Sequence, residues 1–81
     1  MKTFVIEMQT NADGTTGVLP YGYDAVADAE EKFGLVYAAA AKSSVLVHTV
    51  MIVNARGAHL HPPASFTHPV TPEPEQPEQG E

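Results

Sequence analysis

The chain has 81 residues, no cysteine, and ten acidic against four basic residues, for a formal net charge of −6. This excludes disulfide staples, thiolate metal sites and cysteine nucleophiles, and the four scattered cations Lys2, Lys32, Lys42 and Arg56 cannot neutralise a phosphate backbone or grip an anionic membrane surface. A chain this short supports one domain at most, and its small core needs close packing or oligomerisation to hold.

Residues 3–9 alternate, with Phe4, Ile6 and Met8 on one side and Thr3, Glu7 and Gln9 on the other; Val5 is the exception. This is a half-buried strand, with Phe4, Ile6 and Met8 expected inside. Its early charge at Glu7 stops the apolar run short of a signal-peptide core, so the expected location is cytoplasmic. Asp13-Gly14 marks a hairpin turn, because glycine accepts the positive φ that a tight turn demands. A two-residue loop pairs Met8 with Leu19 and Ile6 with Tyr21, apolar against apolar, and a four-residue loop over 11–14 keeps the same parity and so the same faces. Pro20 lacks a backbone donor, which sends this second strand to an edge.

From Asp24 the period becomes helical. Asp24 is the expected N-cap, and Val26, Ala29, Phe33, Val36, Tyr37 and Ala40 fall on one face at three- and four-residue steps. Asp28 and Lys32 stand in the favourable i, i+4 order. Gly34 costs about 1 kcal/mol against alanine in mid-helix, and close approach of a neighbouring backbone is one structural reason for it. Ser43 and Ser44 end the helix.

Residues 45–54 form the most apolar strand, and Asn54-Ala55-Arg56-Gly57 supplies the next turn. A loop over those four residues pairs Val53 with Ala58 and Met51 with Leu60, making a short fourth strand over 58–61. Pro62-Pro63 then ends regular structure. The tail, 62–81, holds six prolines, four glutamates and no basic residue, a composition expected to stay extended and disordered. The domain is therefore expected to span 1–61.

Two hairpins around one helix give an α+β fold, ββαββ, with a four-stranded antiparallel sheet. The order 2-1-3-4 sets the two most apolar strands in the middle; 1-2-3-4 is the alternative, and Pro20 argues against it. The segment 45–53 is apolar at both phases of a two-residue alternation, yet one helix shields one sheet face. The other face is expected to carry Val5 with either Val45, Val47, Thr49, Met51 and Val53 or Leu46, His48, Val50 and Ile52. Burial of three or four such side chains, at about 1.5 to 3 kcal/mol each, is enough to drive a homodimer or higher homo-oligomer. The expected interface is Val5, Val45, Val47, Met51 and Val53. A tail folding back through Phe66 and Val70 would cover the same face, and the acidic tail could instead engage another protein.

The main chemical candidate is a histidine cluster. In the register above Val50 opposes His61 and Ile52 opposes His59, which puts His48, His59 and His61 on one face at a spacing that zinc or nickel can use. The same trio could make association pH-dependent. Ser43, Ser44 and His48 lack a nucleophile elbow around them, and Gly14-Thr15-Thr16-Gly17 lies in a hairpin without the lysine of a phosphate loop. No acid/base pair assembles, no cofactor is implied, and an enzyme is not expected.

The segment MKTFVIEMQTN at 1–11, the helix start at 24–32 with Ala29-Glu30-Glu31-Lys32, and Ser43-Ser44-Val45-Leu46-Val47-His48-Thr49-Val50-Met51 resemble small uncharacterised proteins from gut bacteria and their phages or prophages, which also end in a Pro/Glu tail. The resemblance covers most of the chain. It implies a mobile-element setting, among genes that build particles, and no chemistry. The reading that results is a small non-enzymatic association module, an accessory or structural protein of a phage-like element, with a metal- or ligand-binding protein as the alternative.

Overall fold

The computed structural model describes residues 1–68; Val70 and most of the expected tail lie outside them. Strands β1 (Thr3–Thr10), β2 (Thr16–Tyr23), β3 (Val47–Asn54) and β4 (Ala64–Thr67) and helix α1 (Val26–Ala41) follow in the order ββαββ. The strands form one sheet in the order β2-β1-β3-β4, every neighbour antiparallel. This is the expected α+β architecture.

The turns differ from expectation by one residue, and that difference changes which residues share a face. Asn11 pairs with Thr15 across Ala12-Asp13-Gly14, the Asn11 amide donating to the Thr15 carbonyl at 2.8 Å. Gly14 has φ +90°, so this is a type I turn closed by a left-handed glycine, the three-residue hairpin with a G1 bulge. The β3 hairpin repeats it. The Asn54 amide donates to the Ala58 carbonyl at 2.9 Å, and Gly57 has φ +86°. Asn-Ala-Asp-Gly and Asn-Ala-Arg-Gly are thus two copies of one turn.

An odd loop length shifts each register by one. Ile6 pairs with Pro20 rather than Tyr21, Met8 with Val18 rather than Leu19, and Val5 stands between Tyr21 and Ile52. Because side chains alternate across a strand, this moves β1 the other way up relative to β2. The helix-side face carries Val5, Glu7, Leu19, Tyr21, Tyr23, His48, Val50, Ile52, Ala64 and Phe66. The core is Val5, Val50 and Ile52 against Ala29 and Val36 of α1, with Tyr21, Tyr23, Phe33, Leu60 and Ala64 packed around it. Phe4, Ile6 and Met8, expected inside, lie on the open face.

Helix α1 buries Ala29, Val36 and Ala40, while Val26 and Tyr37, expected in the same stripe, remain about half exposed. Asp24 does not cap it. The N-cap is Ala25, without a side-chain bond, and Asp24 instead pairs with Lys2 at 2.8 Å, which ties the start of β1 to the end of β2. Lys32 turns away from Asp28, its ammonium lying 4.2 Å from the centre of the Tyr21 ring.

The chain does not leave the sheet at Pro62. Val53 bridges His59, and the Leu60 amide donates to the Ile52 carbonyl; then Val50 pairs with Ala64 and His48 with Phe66. Opposite Met51, three residues, His61, Pro62 and Pro63, fill the place of one. The prolines, having no donor, sit in this bulge, and pairing resumes with its parity intact. Phe66 anchors the resumed strand, its ring meeting that of Tyr37 edge-on at 5.1 Å. The domain therefore runs past 61 to include β4, and Phe66 extends the sheet instead of folding over its open face.

Candidate functional site

The open face is built from alternate residues of every strand. It carries Phe4, Ile6, Met8 and Thr10 of β1, Thr16, Val18, Pro20 and Gly22 of β2, Val47, Thr49, Met51 and Val53 of β3, and Ser65 and Thr67 of β4. None of these is charged. Phe4 lies across Gly22, where an added Cβ would stand 3.2 Å from its ring. Val18 is 58% exposed and Met8 36%, whereas Val53 is 8% exposed. The Thr49 and Ser65 hydroxyls share one hydrogen bond of 2.9 Å. Among the described residues no element packs on this side.

Of the interface expected from sequence, Val47, Met51 and Val53 lie on this face. Val5 does not. The one-residue register shift turns it under α1, where it is wholly buried. Val45 precedes β3, its amide held by the Ser43 hydroxyl at 3.0 Å. Phe4, Ile6 and Met8, which sequence reasoning placed in the core, take their place.

Both sheet edges discourage further strand addition. The Asn11–Thr15 bonded pair sets the ladder parity, so the backbone groups of Thr16, Val18, Pro20 and Gly22 point away from β1. Pro20 interrupts that outward row of donors. At the other edge β4 is four residues long and follows two prolines.

The histidine cluster does not assemble. His59 opposes Val53 and shares the open face, while His48 lies on the helix side, so the sheet itself separates them. His61 turns to α1, its Nε2 2.7 Å and 2.8 Å from the two Glu30 oxygens and its ring 5.6 Å from that of Phe33. No group of three or more histidine, aspartate or glutamate side chains among the described residues could hold a metal. The expected metal site at His48, His59 and His61 is corrected on that geometry: the three-residue turn puts His59 on the face opposite His48, and the bulge over 61–63 lets His61 turn to α1.

His48 has a different setting. Its side chain is 5% exposed and its Nε2 lies 2.5 Å from Glu7 Oε2, itself on a side chain 12% exposed; the Gln9 amide donates to the same oxygen at 3.1 Å. A carboxylate only accepts, so Nε2 carries the proton. Nδ1 is buried without a partner. His68 Nε2 bonds the Ala40 carbonyl at 2.9 Å, one of the last carbonyls of α1, and fixes the end of β4 to the helix. Sequence reasoning missed the Glu7–His48 pair, reading Glu7 as solvated, because the two are 41 residues apart and meet only in the β1–β3 register.

Two carboxylates at the surface are held below the usual range. The Thr15 hydroxyl and amide both donate to Asp13, at 2.7 Å and 3.0 Å, and Lys2 does the same for Asp24. Both belong to turns and junctions. Comparison with protein-family models, with curated proteins and with solved structures finds no match for this chain.

Proposed function

We propose that the chain is a small non-enzymatic association module that stacks the open face of its sheet on the same face of a second copy. The observation that carries this reading is an uncharged face, rich in Phe4, Ile6, Met8, Val18, Met51 and Val47, that no described part of the chain covers. A second copy suits it because an uncharged surface is self-complementary about a two-fold axis and brings no like charges together. Residues 69–81 suit it poorly, since they carry four glutamates and a single large apolar residue, Val70. The blunted edges favour face-to-face packing over strand addition.

Strands about 4.8 Å apart and about 26 Å long give roughly 400 Å² of face per copy, about half of what each partner buries in a standard interface and the size of a weak, transient contact. The dimer is expected to be concentration-dependent, with a dissociation constant in the micromolar range or weaker. An accessory role in the particle of a phage-like element is the setting that the resemblance supplies. Sedimentation equilibrium of the full chain tests the reading: Met51→Lys, placed mid-face, should abolish the contact made through that face and lower the average mass. Monomer throughout for the unsubstituted chain at several hundred micromolar, or a dimer indifferent to Met51→Lys, would remove the proposal.

A further inference from the structure

The outward side of α1 has a pattern that the domain does not use. Asp28, Leu35 and Lys42 follow one another at seven-residue steps, with Glu31 and Ala38 between them, so all five lie along one line of the helix. All are exposed, and Leu35, at 63%, is more exposed than every other large apolar residue of the described chain except Met1. Among the described residues neither Asp28 nor Lys42 forms an ion pair. Gly34 adds an independent observation. A glycine in mid-helix lowers helix propensity, and a neighbouring backbone would account for it, but a Cβ built there meets nothing within 4 Å. Packing within the chain does not require that glycine.

We propose that this stripe is a second self-association surface, on which another copy of the chain lays its own α1 antiparallel, with the two-fold axis passing beside Leu35. Charge complementarity selects the occupant and its direction. Asp28 stands seven residues before Leu35 and Lys42 seven after, about 10 Å to either side at the α-helical rise. An antiparallel two-fold sets each Asp28 against Lys42 of the second copy and each Glu31 against an alanine, Ala39. A parallel pairing would stack Asp28 on Asp28. The helix dipoles also oppose in the antiparallel arrangement. Gly34, Ala38 and Ala41 flank the crossing with little side chain, which lets the axes approach to roughly 8 Å.

This surface faces away from the open sheet face and does not depend on it. Two isologous contacts on opposite sides of one domain link copies into a longer array instead of closing at a dimer. Sedimentation equilibrium and light scattering of the full chain, with circular dichroism to confirm folding, separate the two. In a Met51→Lys background the proposal requires a residual dimer, weakened by at least about tenfold on adding Leu35→Lys. Lys42→Glu should weaken that dimer, and Asp28→Lys added to it should restore the affinity. Gly34→Leu is the sharpest variant. It enlarges the apolar surface, so general stickiness would strengthen association, whereas a close helix crossing would be forced apart. Stronger or unchanged association of Gly34→Leu overturns the proposal, as does a Met51→Lys protein that is monomeric throughout. That last outcome leaves the sheet-face reading standing; association that ignores Met51→Lys but vanishes with Leu35→Lys does the reverse.

Discussion

Removing one member of the Glu7–His48 pair should damage the fold far more than removing both. The two side chains are 12% and 5% exposed and meet at 2.5 Å, with Gln9 completing the group. In His48→Leu, which nearly conserves volume, the Glu7 carboxylate stays buried with only the Gln9 amide, and breaking a buried pair in this way costs about 3–5 kcal/mol. In Glu7→Leu the imidazole loses its Nε2 partner, at about 1–3 kcal/mol for the newly orphaned group, Nδ1 being unpaired already. A domain of this size holds on the order of 3–10 kcal/mol in total, so His48→Leu should be close to unfolding at room temperature and Glu7→Leu plainly destabilised. The double variant leaves no buried charge and no orphaned Nδ1, and replacing such a pair by apolar residues is often neutral or stabilising. Urea titrations followed by circular dichroism give all four stabilities at one protein concentration. A His48→Leu protein as stable as the parent would refute the argument, and so would a double variant whose loss equals the sum of the two single losses.

Three further outcomes follow from the structure. Gly57→Ala must accept φ +86° and should lose about 1–2 kcal/mol, seen as a melting temperature lowered by roughly 4–8 °C per kcal/mol; an unchanged melting curve would mean the turn is not the left-handed one described. Phe66→Ala removes the ring that meets Tyr37 and should cost about 1–3 kcal/mol, less than a fully buried phenylalanine, and hydrogen exchange should then accelerate along the β3–β4 ladder but not along β1–β2. The Asp13 and Asp24 carboxyls have folded pKa values below their unfolded value near 3.9. Their stabilisation is complete above that pH and is lost as pH falls through the lower folded values. Urea midpoints should drop below about pH 4, and a steep part of that drop should persist less in Asp13→Asn/Asp24→Asn than in the parent chain.

The amphipathic period of 26–40, the alternation of 3–9, the apolar 45–53 and the position of Pro20 sufficed to determine the helix, the first three strands, the strand order and the α+β sheet, because each is a local property of period or donor content, whereas the fourth strand, expected over 58–61, lies at Ala64–Thr67. The sequence also held a sign that the turns are three residues long: Asn-Ala-x-Gly occurs twice, with glycine at the left-handed position of a G1 bulge. Read as loops of even length, those turns invert the faces of β1, and Val5, Phe4 and the histidine cluster go with them. Other features were decided only in three dimensions. β2 and β3 run parallel with β1 between them, so α1 is a crossover, and crossovers are right-handed in about 98% of cases, which gives the helix one face of the sheet and leaves the other open. Both faces of β3 are apolar, so its sequence could not say which would be covered. The pairing of Glu7 with His48, the resumption of the sheet beyond Pro62-Pro63 and the exposure of Leu35 likewise depend on contacts between residues far apart in the chain, where local pattern carries no information about the partner.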